Sequence, residues 1–186
     1  NLEIYRQNAE SAETSNNYSE AVANWKSYFD EKNTHQNEIP GEIYARAAKS
    51  AYKADMNEVA IEWFDQARYR NYSDPEMYSV LAQIFKTRNN LSRELSALEF
   101  YNENFGKDNP DINSRLFDLY LEIEQINKAL ETWERLPEKI KQHEQKLNKY
   151  FKLNKRLGNK EICDSISTQL LEVAPAHTAA LEWKAE

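Results

Sequence analysis

The stretch NNYSEAVANWKSY, residues 16–28, combines a polar turn with the start of an amphipathic helix. Two asparagines are followed by a small residue, Ala21, and by bulky residues four and seven positions later, Trp25 and Tyr28. Positions i, i+4 and i+7 lie on one face of an α-helix, so these three side chains predict a buried stripe. Because the asparagines interrupt the apolar pattern, we expect a separate helix before them.

The same pattern recurs along the chain at intervals of 34 to 39 residues. The further copies are Ala60–Phe64–Ala67, Glu94–Leu98–Tyr101, Ala129–Trp133–Leu136 and Cys163–Ser167–Leu170. A fixed period of this length is the signature of a helical repeat protein.

The prolines follow the same period. Pro40, Pro75 and Pro110 are spaced 35 residues apart, and each precedes a helix-like apolar pattern. Proline suits the first turn of a helix because its missing N–H would have no intrahelical partner there. Asp74 and Asn109, which precede two of these prolines, are favourable N-cap residues.

Short polar breaks at residues 16–17, 55–56, 89–90, 124–125 and 158–159 divide each unit into two antiparallel helices. The pattern thus predicts eleven helices in five pairs. The first helices of the pairs are expected near 2–15, 41–54, 75–88, 110–123 and 138–157, and the second helices near 18–32, 57–70, 91–105, 126–136 and 160–173. A final helix is expected from Ala176 to the end of the chain.

These units resemble tetratricopeptide (TPR) repeats. The segment NYSEA, residues 17–21, is similar to the family's entry into its second helix, and LEVAP, residues 171–175, is similar to its repeat-ending segment. Ala9, Ala48 and Ala82 match the small residue at which paired helices approach closely. The resemblance implies an all-α fold, an alpha-alpha superhelix of about five helix pairs plus a C-terminal capping helix.

We therefore predict one TPR-like domain over residues 1–186. Its repeats are expected near 2–40, 41–74, 75–109, 110–143 and 144–175, with a cap over 176–186. The sequence departs from the family pattern at Phe117 and Phe151, where a small residue is expected, at Glu94, where alanine is expected, and through an insertion around residues 33–39.

The sequence contains no motif for chemistry. It has no HExxH, CxxC, Walker or GxSxG pattern, and its three histidines, His35, His143 and His177, fall in three different units. Cys163, the single cysteine, occupies a small-residue packing position. The pattern indicates a protein that is not an enzyme and has no cofactor or metal, and no stretch is long and apolar enough to span a bilayer.

The resemblance implies that the first helix of each pair lines a concave groove that binds a peptide or a partner protein. The side chains that would face this groove are Arg6, Glu10, Glu13, Lys49, Tyr52, Lys53, Ser79, Gln83, Lys86, Ser114, Asp118, Leu121, Glu122, Asn148, Lys152, Lys155 and Arg156. The candidate partner-binding residues among them are Lys49, Tyr52, Lys53, Lys86, Lys152, Lys155 and Arg156.

Charge is unevenly distributed along the chain. From Lys139 to Lys160 there are eight basic residues and one acid, whereas the rest of the chain holds 16 basic and 30 acidic residues. One interpretation is a solvated face that attracts the acidic units beside it. The other is a site for an acidic protein partner, which the sequence pI of 5.2 favours over nucleic acid.

An alternative function is structural. The chain starts with Asn1 rather than Met, and its last helix has no stop signal, so a section of a longer TPR protein or a homo-oligomer is also expected. One cysteine fits either a cytoplasmic or a periplasmic location. Frequent Asn and Lys are typical of an AT-rich bacterial source.

Overall fold

The computed structural model describes residues 2–34 and 38–186, and the side chains of all of these except 33 and 34. His35 lies outside the described residues. The described residues form twelve α-helices: α1 (Leu2–Thr14), α2 (Tyr18–Thr34), α3 (Gly41–Lys53), α4 (Asn57–Tyr69), α5 (Pro75–Thr87), α6 (Leu91–Phe105), α7 (Pro110–Glu122), α8 (Ile126–Arg135), α9 (Glu138–Lys141), α10 (Glu144–Leu157), α11 (Lys160–Val173) and α12 (Thr178–Ala185).

The chain divides into two compact units, Asn1–Gly106 and Lys107–Glu186. In the first unit α1 packs on α2, α3 on α4 and α5 on α6; in the second α7 packs on α8, α10 on α11 and α11 on α12. The predicted all-α fold of paired helices is confirmed, while the single domain over 1–186 and its repeat boundaries stay predictions.

Every first helix ends in the same backbone arrangement. A left-handed residue follows each helix end, as the second residue at four positions, with φ between 55° and 61°, and as the first residue after α10, with φ of 74°. The next N–H then donates to the carbonyl five residues earlier, which closes a Schellman-type cap. These bonds are Asn17 to Ala12, Met56 to Ala51, Asn90 to Phe85, Gln125 to Tyr120 and Asn159 to Asn154, at 2.8 to 3.0 Å. The predicted breaks between paired helices are therefore confirmed.

Two of the first helices have a side-chain N-cap directly before their proline, as the sequence predicts. Asp74 Oδ1 accepts a hydrogen bond from Met77 N at 2.8 Å, ahead of Pro75 in α5. Asn109 Oδ1 accepts from the backbone N–H of Ile112 at 3.1 Å, ahead of Pro110 in α7.

The predicted stripe residues form the core of the first unit. Trp25 and Phe64 are fully buried, as are the small residues before them. Between the pairs, the Phe29 ring stacks on Tyr44 with centroids 4.2 Å apart and meets Trp63 edge-on at 5.1 Å. These contacts join α2 to α3 and α4.

Large aromatic residues replace small ones in the core of the second unit. Phe117 and Phe151 are both fully buried. Phe117 lies 5.2 Å from the Trp133 ring, and Trp133 in turn stacks on Tyr150 at 4.0 Å. Cys163 is buried as expected for a small apolar packing residue.

The prediction of one helix over 138–157 is wrong, and the last helix begins two residues after its expected start. The helix expected over 138–157 is interrupted, because His143 has an extended backbone and its carbonyl accepts the first bond of α10 from Leu147 N at 2.8 Å. The last helix begins at Thr178 rather than near Ala176, because the His177 side chain caps it by accepting from Ala180 N at 3.2 Å.

None of the helices in the described ranges combines the length and the apolar character needed to cross a membrane.

Candidate protein-interaction surface

Charged residues of α1 and α3 pair with each other on the exposed side of these two first helices. Arg46 of α3 lies 3.2 Å from Glu10 and 2.8 Å from Glu13 of α1. Arg6 adds a second contact to Glu10 at 3.0 Å, and this hydrogen bond raises the pKa of Arg6 above its usual value. Three of the residues predicted to face a groove, Arg6, Glu10 and Glu13, are therefore already bound within the protein.

Glu13 has the most internal partners on this side. Its Oε1 accepts hydrogen bonds from Trp25 Nε1 and from Ser50 Oγ, both at 2.8 Å, while Oε2 accepts from Arg46. Its side chain is only 15% exposed. Glu13 thus connects α1, α2 and α3, and its role is structural.

Lys49, a predicted binding residue, reaches the start of α5. Its ammonium lies 2.9 Å from Asp74 and 3.4 Å from Glu76. Burial raises the pKa of Asp74, but hydrogen bonds from Lys49, Met77 N and Tyr72 outweigh this effect and hold that pKa below its usual value. Burial, helped by the hydrogen bond to Asp74, raises the pKa of Tyr72 to about 12.

A polar pocket of about 220 Å³ lies among α1, α2, α3 and α5. Lys49 and Lys53 both line it, so the structure brings these two predicted residues together. Lys53 is exposed, and its ammonium lies 5.1 Å above the Tyr18 ring. Tyr52 is half-buried and does not line this pocket, and the exposed Lys86 has no ion-pair partner among the described residues.

In the second unit, one carboxylate holds two lysines between α7 and α10. Asp118 lies 2.7 Å from Lys146 and 3.0 Å from Lys149. Lys146 also donates to the Ser114 carbonyl at 3.0 Å. Burial lowers the pKa of Lys146, although the contact with Asp118 opposes that shift. The resemblance did not indicate either lysine as a site residue; only the run of basic residues pointed to them.

The C-terminal half of α10 presents exposed positive charge. Lys152 and Lys155 are exposed and have no ion pair within the described part of the chain. Arg156 lies 2.8 Å from Glu124, and both side chains are more than half exposed. The hydrogen bond from Arg156 lowers the pKa of Glu124. We call Lys152, Lys155 and Arg156 the basic patch.

Metal-binding side chains do not cluster within the described ranges, where no group of three or more His, Cys, Asp or Glu residues could hold an ion. His143 is exposed at the start of α10, and His177 serves as the cap of α12.

Paired helices with repeated caps and a charged first-helix surface define a helical-repeat protein. The structure is similar to YrrB, a TPR protein with an unusual peptide-binding site, at a TM-score of 0.68 and 14% identity, covering 98% of this chain and 91% of YrrB. The MamA protein matches with a TM-score of 0.66 and 15% identity, covering 92% of this chain and 90% of MamA. A TPR protein from Parabacteroides merdae matches with a TM-score of 0.65 and 12% identity, covering 99% of this chain and 71% of that one.

At this level of identity the likeness shows the fold, and the fold is that of TPR proteins. The resemblance inferred from the sequence is confirmed to that extent. The sequence matches no protein-family model, and a search of curated proteins returned no significant match.

Proposed function

We propose that this protein is a non-catalytic interaction scaffold that binds an acidic peptide or an acidic segment of a partner protein. The observation that carries the proposal is the basic patch. No ion pair joins Lys152 or Lys155 to an acidic residue of the described chain, whereas Lys49, Lys146 and Lys149 each form one. Exposed charge of one sign attracts partners of the other sign and speeds their association.

The fold supports the same proposal. Within each unit, packed helices offer side chains at fixed spacing, so that little ordering cost falls on the scaffold when it binds. The first unit offers its own candidate contacts, Lys53 beside the polar pocket and Lys86 on α5, with Tyr52 as a neighbouring aromatic. Lys49 would act mainly by holding Asp74 in place.

A pull-down from a lysate of the source organism tests the proposal. Wild-type protein is compared with a Lys152→Glu/Lys155→Glu/Arg156→Glu variant and with a control of equal charge change, Lys26→Glu/Lys107→Glu/Arg135→Glu, which alters exposed residues outside the basic patch. Circular dichroism checks that all three are folded. We expect a partner that wild type and control retain and that the patch variant loses, with capture weakening as salt rises.

Equal capture by the patch variant and the control would refute a role for the basic patch. A captured partner would then contact the remaining first-helix residues, and Lys53→Glu/Lys86→Glu would be the next variant.

A second candidate function is self-association, as the oligomerisation section of a larger TPR protein. The observation in its favour is apolar exposure in the second unit, where Val173 of α11 and Leu181 of α12 are each 48% exposed. Sedimentation over a hundredfold concentration range tests it, with Val173→Asp/Leu181→Asp as the variant that should remain monomeric. A wild-type monomer throughout would exclude this function under those conditions.

A further inference from the structure

A second pocket lies in the first unit, between the second helices α4 and α6 and above α5. Its volume is about 430 Å³, within the size range of small-ligand sites. We call it the Arg93 pocket and define it by Arg68, Tyr78, Leu81, Arg93, Ala97 and Phe100. None of these residues belongs to the first-helix positions considered above.

The floor of the Arg93 pocket is apolar and rigid. The rings of Tyr78 and Phe100 stack with centroids 4.1 Å apart and planes 15° from parallel. Leu81 and Ala97 complete the floor and are buried in the core. A stacked pair with buried neighbours keeps its shape without a ligand, so a side chain that docks here need not reorganise it.

Arg68 and Arg93 lie at the rim of the Arg93 pocket. The Arg93 guanidinium lies 4.6 Å from the Phe85 ring centroid, and its N–H groups have no hydrogen-bond acceptor within the described part of the chain. Arg93 is exposed and has no acidic partner among the described residues. Arg68 comes from the neighbouring helix and contacts Asp65 through Nη2. A guanidinium has five N–H donors, so Arg68 keeps donors for a further carboxylate.

The repeat supplies an internal comparison. The second unit has a pocket of about 370 Å³ at positions exactly two repeats further on. Tyr78 and Leu147, Leu81 and Tyr150, and Ala97 and Ile166 are each 69 positions apart, and all six residues line their respective pockets. Packing of successive second helices therefore creates the cavity, and side chains determine what it can bind.

The two pockets differ in charge. At the position of Arg93 the second unit has Ile162, which is 38% exposed. That pocket is lined by two acids, Glu138 and Glu161, and by one base, Lys141, which lies 3.8 Å from Glu138. The arginines of the Arg93 pocket favour the carboxylate of a ligand, whereas the two glutamates of the pocket at Ile162 disfavour it. The arginine rim is thus a property of one pocket rather than of the fold.

We propose that the Arg93 pocket binds an acidic peptide segment of a partner protein, with one leucine- or phenylalanine-sized side chain on the floor and adjacent carboxylates on Arg93 and Arg68. Arginine suits this role because its planar fork matches a carboxylate with two parallel hydrogen bonds. The site is separate from the basic patch, and its test does not depend on the function proposed above.

Fluorescence anisotropy with a labelled hexapeptide of sequence DELFED tests the proposal. Two further peptides serve as comparisons: KKLFKK reverses the charge, and DESSED removes the apolar anchor. We expect DELFED to bind wild-type protein at least about tenfold more tightly than either, because each loses one of the two kinds of contact.

Protein variants locate the site. Arg93→Ile, which introduces the residue of the equivalent pocket, and Arg93→Glu should weaken DELFED binding by about tenfold or more. The matched control Ile162→Glu, and the basic-patch variant, should leave it unchanged. Arg93 is exposed, so both of its variants should keep the wild-type circular dichroism spectrum. Absence of DELFED binding at millimolar concentration, or an equal loss in Arg93→Glu and Ile162→Glu, would overturn the proposal.

Discussion

Lys49 Nζ lies 2.9 Å from Oδ2 of Asp74 and so connects the middle of α3 to the first turn of α5. The same Oδ2 accepts the Tyr72 hydroxyl at 3.0 Å, while Oδ1 caps α5 through Met77 N. Both partners of the pair are about four-fifths buried, at 21% and 19% side-chain exposure. One carboxylate therefore fixes the position of two neighbouring repeats in the first unit.

Replacement of Lys49 by methionine should destabilise the first unit. The substitution keeps the aliphatic stem but leaves a largely buried carboxylate without its cation, a loss of about 1–2 kcal/mol once partial exposure is considered. Urea unfolding followed by circular dichroism measures it. Lys86→Met, on an exposed lysine without an ion pair, is the control and should change stability by less than about 0.5 kcal/mol. Identical urea midpoints for the two variants would show that the pair contributes nothing.

The contribution of Asp74 should depend on pH in the acid range. Because its folded pKa is lowered, the stabilisation is present above the unfolded value of about 3.8 and disappears as pH falls through the folded pKa. Asp74→Asn keeps a good N-cap but removes the charge. The stability difference between wild type and this variant should be constant near neutral pH and shrink below about pH 4. A difference that does not change with pH would mean that the charge is unimportant.

Phe117→Ala should be strongly destabilising, although the resemblance to TPR repeats places a small residue at this position. The ring is fully buried against Trp133, so its removal leaves a cavity and costs about 3–5 kcal/mol. Leu121→Ala, on the same helix at a half-buried position, should cost clearly less. Thermal and urea unfolding compare the two variants. A small loss at Phe117 would indicate that α7 and α8 can close over the space.

Glu124→Gly should stabilise the second unit. Glu124 has a left-handed φ of 61°, which is unfavourable for a residue with a Cβ, and its exposed contact with Arg156 contributes little. Glycine should therefore raise stability by about 0.5–1 kcal/mol. Glu122→Gly, at the last residue of α7, should instead lower it, by less than the roughly 1 kcal/mol that glycine costs in a helix interior. Gly158→Ala, at the equivalent cap after α10, should lower it as well, which melting temperatures would check.

The sequence predicted the elements of this fold well because each depends on local signals. Each signal depends only on residues that lie within one or two helical turns of each other. Examples are the stripe at Ala21, Trp25 and Tyr28, the polar breaks and the capped prolines. The interruption at His143 was missed because it removes no apolar residue from the periodic pattern and has neither glycine nor proline to mark it.

The candidate site was harder to predict because it depends on distances between helices. Glu13 and Arg46 are 33 positions apart, close to one repeat, so periodicity places them on neighbouring first helices but does not show that their side chains pair. Mapping from the resemblance therefore treated Glu13 and Lys49 as available to a partner, although both are engaged inside the protein. The Arg93 pocket was missed for a similar reason, since Tyr78 and Leu81 belong to the core pattern and only helix packing shows that a cavity opens above them.

The five identical helix ends have an evolutionary consequence. The hydrogen bonds that close them are all backbone bonds, and the chain makes them with Asn, Asp, Asn, Glu or Gly at the left-handed position. A gene segment that runs from one such end to the next carries the same junction at both of its borders. Duplication, deletion or recombination at these borders would preserve the junctions, so the number of repeats can change while selection acts separately on the side chains of each.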